Sequence, residues 1–584
     1  MMHIPPSQPG SNRAGPTRRT PAAPARRTAW ATCALLATIA SPSTWAAAPP
    51  PPPDAGQTLQ QLQAPPPPTA PNTPAPTLNN QAEHPEVLGG DPTTRAHLSR
   101  LVFTGNTIFD SNTLTRVAKL SNAEVTLADL RAAARRVSQY YRDHGYVLAR
   151  AYLPAQDVSG GVVTLAILEG KLGSTTINNT SGVSTRQIKS ILADQIQADE
   201  PLNSTPANRA LILLQNTPGV GGVQGTLSPG SSVGTTALEV DVTRAPLISG
   251  SVAIDDNGNS YTGQDRLTAA FNLANLTGHG DQLDLQGTVS EHDSLNYAHV
   301  SWDAPVSHDG LRLGVAAGNV DYTLGGSFKD LDAHGNAQTA ALYGSYPLWL
   351  APTSHVNLYL SIEHRTFTDD AGAVDLNSHK SADAAVFTVS GDFTDSWLGT
   401  RAITAWRVSN TYGNLSLHTP EVAALDAASA QTAGAYDKVL VGLTREQTLL
   451  DKLSLYVAAT GQESSKNLDT SEQFFLGGPY GIRAYPQGEA PGDGGWLATV
   501  ELRYHLMRPL QAFAFYDSGQ IQTNHHPYLE QLNDRHLSGP GLGANGVYGP
   551  FSLKATVAWR CGSEAPTSDK DRKPRIWVQA AYAF

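Results

Sequence analysis

Arg483 is the residue whose chemistry most needs explaining. It stands in residues 476–496, LGGPYGIRAYPQGEAPGDGGW, where glycine and proline are too frequent for a helix or a regular strand. The stretch reads as a loop between strands of alternating polarity. A guanidinium folded into such β-structure needs an anion to offset its desolvation. Asp517, in the strand-like FAFYDSG of residues 513–519, is the candidate partner. Glu501 and Arg503 lie on the polar face of the next strand, placed to join the pair. An exposed pair would contribute about 0–1 kcal/mol, whereas deleting one partner of a desolvated pair costs about 3–5 kcal/mol. Only a buried pair could hold a long loop in one place.

Other chemistry-bearing patterns have plainer accounts. Residues 230–234, GSSVG, match G-x-S-x-G but lie in a hairpin turn rather than at a strand-to-helix elbow. Residues 541–546, GLGANG, match G-x-G-x-x-G, yet the segment that follows is a strand, with no helix N-terminus to hold a phosphate; a glycine-rich strand is the better reading. His525, His526 and His536 fall near Glu530 and Asp534 in what reads as an exposed loop without metal-site spacing. The two cysteines are Cys33 and Cys561. With Cys33 in a removable leader, neither an internal disulfide nor a cysteine-based metal site is expected. No enzyme, cofactor or metal is expected.

The elements that must position Arg483 follow from the chain in order. Residues 1–48 carry Arg13, Arg18, Arg19, Arg26 and Arg27 with no acid, then an apolar run over 29–40 and a small-residue end, Ala46, Ala47 and Ala48. This is the pattern of a secretory signal peptide, and the run is too short to span a membrane as a helix. Its removal shifts the formal net charge from -11 to -16. The only notable basic cluster left is residues 570–575, interrupted by Asp571 and Pro574, which argues against nucleic acid as a partner. Residues 49–97 form a proline-rich linker in which 55–63, AGQTLQQLQ, has the length for two turns of helix and could plug a pore.

Two small α+β units follow, over 98–171 and 172–245. In the first, Thr126 and Asp129 have capping-box spacing, Leu127, Leu130, Ala134, Val137 and Tyr141 share a helical face, and Gly145 ends the helix. Strands are expected over 98–103, 146–152 and 162–168. In the second, Ile188, Ile191 and Leu192 mark one helix, Ala210, Leu211 and Leu214 another, and 222–227 pairs with 236–242 as a hairpin. The order of elements repeats, so one unit occurs twice. From residue 246 the helical period gives way to alternation, as in Val356, Leu358, Leu360 and Ile362. Alternation alone leaves a β-sandwich and a membrane barrel level. The chain end favours a barrel: Ile576, Val578, Ala580, Tyr582 and Phe584 alternate up to the last residue.

Several phrases, in order, resemble one family: LVFTGNTIF, YRDHGYVLARAYLP, LEGKLG, NTPGVGGVQGTLSPGSSVGTTALEVDV and the arginine loop. They look like the two-partner secretion transporters, the haemolysin-activator and filamentous-haemagglutinin transporter family. The resemblance covers the chain from residue 98 onward. It implies a transmembrane antiparallel β-barrel of about 16 strands over 246–584, preceded by two POTRA domains in the periplasm of a Gram-negative bacterium. The loop 476–496 would fold into the barrel and its Arg483 meet Asp517, with Gly481, Tyr485, Phe515 and Glu501 in the same site. Glycine often stands in the family where this chain has Ala484. The implied work is recognition of a large secreted exoprotein and its passage, unfolded, to the cell surface. The expected docking edge is Thr236, Leu238, Val240 and Val242, where an extended segment could add as a strand. Tyr582 and Phe584 would signal to the barrel assembly machinery, and outer-membrane lipid would surround the barrel. A barrel assembly factor, or a passive porin or adhesin, are the alternatives.

Overall fold

The computed structural model describes residues 52–584 apart from 64–66, 70–74, 82–90, 121–123, 158–159, 199, 233 and 531. The signal-peptide reading of 1–48 lies outside the described residues.

In the first α+β unit, Thr126 caps the helix Leu127–Asp143 in a reciprocal box with Asp129. The helix lays Ala133, Ala134, Val137 and Tyr141 against Leu165 and Ile167 of a three-stranded sheet, Arg100–Thr104, Val162–Leu168 and Arg150–Tyr152 in that order. Only Arg150–Tyr152 of the expected strand 146–152 is paired, because residues 146–149 make a turn. The unit also takes in Arg95–His97, paired with Glu124–Thr126. Tyr141 donates to the buried Glu169 carboxylate at 2.8 Å. Burial first, and then that bond, push its hydroxyl pKa up.

The second unit corrects one expectation. Thr235–Arg244, which contains Thr236, Leu238, Val240 and Val242, is not an edge. It pairs with Val220–Pro229 on one side and Lys171–Asn179 on the other, and those four side chains are buried. Their alternation marks the core face of an interior strand, where Leu238 and Val240 pack with Leu211 and Leu214. The free edge of Val220–Pro229 is taken by the chain's own Thr77–Asn80 from the linker, in parallel register with Leu78 opposite Gly225.

From Ile248–Asp255 to Arg575–Ala583, sixteen antiparallel strands close into a barrel. The closing pair runs from Ser251 opposite Ala583 to Asp255 opposite Gln579, and Phe584 extends it, exchanging two backbone hydrogen bonds of 3.0 Å with Gly250. Strand length varies around the wall. Phe551–Ala558 has 8 residues and Arg575–Ala583 has 9, whereas Ser354–Ala371 has 18 and Leu376–Asp395 has 20. Alternation works as expected: Leu360, Ile362, Ile576 and Val578 face outward, while Phe367, Ala382 and Trp577 are buried inside.

Among the described residues, two longer segments enter that interior. One is the helix Ala55–Gln63, whose Ala55 and Leu59 pack with Leu295, Val320, Tyr322 and Phe367 of the wall. The other is the connection 465–493, which turns inward between the strands Leu453–Ser464 and Gly494–Met507.

Candidate functional site

The strands Gly494–Met507 and Leu510–Gln522 pair with Thr499 opposite Asp517 and Glu501 opposite Phe515. The period of two then turns Thr499, Glu501, Phe515 and Asp517 to the lumen as a four-cornered patch. Arg483 arrives on it from the loop. Its Nε and Nη2 donate to the two oxygens of Asp517 at 2.9 and 2.7 Å, and its Nη1 to Glu501 at 2.6 Å. The arrangement with Asp517 is bidentate. The Arg483 backbone N–H adds a third bond to Asp517 at 3.1 Å, and the Thr499 hydroxyl a fourth at 2.9 Å. The guanidinium carbon lies 3.3 Å from the centre of the Phe515 ring, a cation–π stack in a dry site. Asp517 is 0 % exposed and Arg483 4 %, which makes this the buried pair able to hold a loop. Trp577 on the closing strand donates its indole N–H to the Arg483 carbonyl at 2.8 Å.

Glycines on the neighbouring strand make room for this packing. In Asp534–Tyr548, Gly539, Gly541 and Gly543 lie opposite Asp517, Phe515 and Phe513. A Cβ at Gly541 would stand 2.1 Å from the Phe515 ring and one at Gly543 2.4 Å from the Phe513 ring. The G-x-G-x-x-G pattern is therefore the floor on which two aromatic rings lie. Gly539 makes room for Ala484: a Cβ there would come within 2.6 Å of the Ala484 methyl.

Of the loop residues singled out by sequence, Gly481 has no space for a side chain, since its Cβ would fall 2.1 Å from the Leu476 carbonyl. Tyr485 is fully buried but does not join the arginine patch; its hydroxyl donates to the Glu564 carbonyl at 2.9 Å. Tyr582 and Phe584 lie at the closing seam, with Phe584 against Phe271 at 5.8 Å between ring centres. His525 and His526 act through backbone N–H groups that donate to Asp493 and Asn467.

Three further anchors escaped sequence reading. Glu489, 0 % exposed, accepts from the backbone N–H and hydroxyl of both Thr567 and Ser568 and pairs with Arg535 at 2.9 Å, so the inward loop is tied to residues 559–574. Glu472, on the descending arm, pairs with Arg365 at 2.6 Å and Lys438 at 2.7 Å and accepts from Tyr436. Asp54 caps the helix Ala55–Gln63 and binds Lys380 at 2.7 Å and Thr470, while Lys380 also binds Asp469 at 2.8 Å. One wall cation thus holds both inserted segments. Beyond the helix, the Pro68 carbonyl accepts from Thr444 of the wall at 2.7 Å, and the strand Thr77–Asn80 joins the second unit. Glu489, an acid in the glycine-rich stretch, was a visible signal that donors were needed; which donors was not.

Comparison with known proteins agrees with this architecture. Residues 234–546, more than half of the chain, match the family model for haemolysin secretion/activation proteins of the ShlB/FhaC/HecB type, and residues 96–170 match the ShlB-type POTRA domain. The chain is 29% identical over 470 residues to the heme/hemopexin transporter protein HuxB of Haemophilus influenzae, covering 79% of this chain and 82% of that one. It is 24% identical over 444 residues to the outer membrane transporter CdiB of Dickeya dadantii, covering 72% and 75%. The solved structure of CdiB from Escherichia coli superposes with a TM-score of 0.70 at 22% identity, covering 86% of this chain and 93% of that one.

Proposed function

This chain belongs to the haemolysin secretion/activation family, and on that premise we propose that the structure is the closed, resting form of its conduit, locked at Arg483 and plugged by the helix Ala55–Gln63. The protein is an outer-membrane transporter of two-partner secretion. Its POTRA units stand in the periplasm, and a large secreted partner passes unfolded through its barrel to the cell surface.

The observation that carries the resting-state reading is that, among the described residues, the helix and the inward connection are each held by ion pairs to the wall: Asp54 to Lys380, Glu472 to Lys438 and Arg365, and Arg483 to Asp517 and Glu501. Such pairs hold position but contribute little net stability, because desolvation offsets most of their attraction. They suit elements that must be fixed at rest and released during transport. Cargo is read at the second POTRA unit by strand addition along Val220–Pro229, where Thr77–Asn80 already shows that an extended segment fits. The incoming segment displaces Thr77–Asn80, which the linker joins in sequence to the helix Ala55–Gln63.

A secretion assay tests the lock, and cargo binding to the purified protein tests the edge. Cells co-expressing cargo carry wild type, Arg483→Ala or Leu78→Pro, with heat-modifiable gel mobility confirming a folded barrel. Arg483→Ala is expected to insert and to cut secretion at least tenfold. Leu78→Pro, which takes the Leu78 side chain off the core of the second unit and so loosens the linker strand, is expected to tighten cargo binding to the periplasmic face. Wild-type secretion by Arg483→Ala would remove the lock from the mechanism. Unchanged cargo affinity in Leu78→Pro would remove the shared edge.

A further inference from the structure

The basic cluster at residues 570–575 has no part in the conduit described above, and its place in the fold gives it another. It lies on the crest of the barrel wall between Phe551–Ala558 and Arg575–Ala583. These strands of 8 and 9 residues are among the shortest in the wall. At about 3.3 Å per residue and a tilt near 40° they rise roughly 20–23 Å, close to the ~25 Å apolar band of an outer-membrane barrel. The outward residues agree: Phe551, Leu553, Trp559, Ile576 and Val578 are all exposed. Trp559, at the outer end, has the place of an interfacial aromatic. The residues just above it therefore stand at the headgroups, whereas the strands of 18 and 20 residues elsewhere lift their loops well clear.

On this low crest the acids are committed to arginines at the wall. Asp571 takes the Arg560 guanidinium at 2.9 Å, and Asp569 takes Arg575, itself buried, at 3.2 Å. Lys573 lies 3.4 Å from Asp571 and Arg572 3.9 Å from Asp569, each sharing an acid already in use. Lys570, Arg572 and Lys573 are exposed, leaving surplus positive charge on a chain whose formal net charge is -11.

We propose that Lys570, Arg572 and Lys573 form a binding site for the phosphates of a lipid headgroup in the outer leaflet, the phosphorylated glucosamines of lipid A. The proposal uses the outer-membrane location but not the transport mechanism. Each basic residue near an anionic membrane surface contributes roughly a fivefold gain in binding, so the three together supply on the order of a hundredfold. The same loop delivers Thr567 and Ser568 to Glu489, so a lipid bound on the crest steadies the outer end of the inward loop.

The test uses the full-length protein in phosphatidylcholine nanodiscs titrated with bisphosphorylated lipid A. Binding is read by native mass spectrometry and by amide exchange of residues 560–574. Wild type is expected to bind and to protect those amides. The triple variant Lys570→Gln/Arg572→Gln/Lys573→Gln should bind on the order of a hundredfold more weakly, and dephosphorylated lipid A should bind wild type no better than that. Equal binding by the triple variant, or by dephosphorylated lipid, overturns the proposal. Inorganic phosphate that protects the loop as strongly as lipid A overturns the lipid assignment in favour of a free-phosphate site. A variant that keeps lipid A yet loses cargo secretion would assign the crest to an acidic cargo instead. Should the variant fail to fold, wild type in high salt decides: salt-insensitive binding overturns the proposal, since phosphate contacts weaken with screening.

Discussion

At the scale of the residue, the inward loop depends on carboxylates placed where each finds more than one donor. Asp517 meets Arg483 through two guanidinium nitrogens and a backbone N–H, and Glu489 meets two backbone amides, two hydroxyls and Arg535. The two sites differ in reach: Asp517 ties the loop to the wall, Glu489 ties it to the outer loop 559–574. Glu489→Gln keeps the size but turns one acceptor oxygen into a donor facing donors. The expected cost is about 3 kcal/mol, since breaking a desolvated charge pair costs about 3–5 kcal/mol. The midpoint of the heat-induced gel shift should fall by several degrees while Arg483 and Asp517 stay paired. An unchanged midpoint would show that the loop is held without Glu489.

At the scale of the element, the helix Ala55–Gln63 is short, and a helix of nine residues is marginal alone in water. It holds together because Asp54 caps it, Asp369 accepts from the Ala55 N–H at 2.7 Å, and the wall buries Ala55 and Leu59. The helix is therefore stable inside the lumen and loses that support once outside. Deleting residues 55–63 should raise single-channel conductance in planar bilayers several-fold. Lys380→Gln, which leaves Asp54 and Asp469 without their shared cation, should give frequent openings to the same level. Conductance unaltered by the deletion would mean that the inward loop alone seals the pore.

At the scale of the whole molecule, the barrel closes through five residue pairs between first and last strands, extended by the terminal Phe584. Phe584 packs on Phe271 and Tyr582, and its backbone exchanges two hydrogen bonds with Gly250. Removing it takes two hydrogen bonds and a ring contact from a short seam. Deletion of Phe584 should lower the heat-modifiable fraction in outer membranes several-fold without destroying the POTRA units. A full yield of folded barrel would remove the terminal aromatic from assembly.

What the sequence by itself determined is what depends on local period and on charge. The alternation of Val356–Ile362 style strands, the capping box at Thr126, the apolar helical faces and the need of Arg483 for an anion all follow from neighbours within a few residues. The Arg483–Asp517 pairing was legible because the loop and the strand FAFYDSG resemble those of a family in which the loop arginine meets an aspartate on the inner wall. Tertiary structure alone decided which strand is an edge. Thr236, Leu238, Val240 and Val242 alternate as an edge strand with one buried face would, yet their strand is paired on both sides, by Lys171–Asn179 and Val220–Pro229, and the outer edge of Val220–Pro229 is itself covered by a linker strand more than a hundred residues away. It also decided the partners of Glu489, Glu472 and Asp54, found 34 to 416 residues away in the cases of Glu472 and Asp54. Burial makes those carboxylates demand donors, but only the closed barrel brings distant donors to them, and no local pattern records which ones arrive.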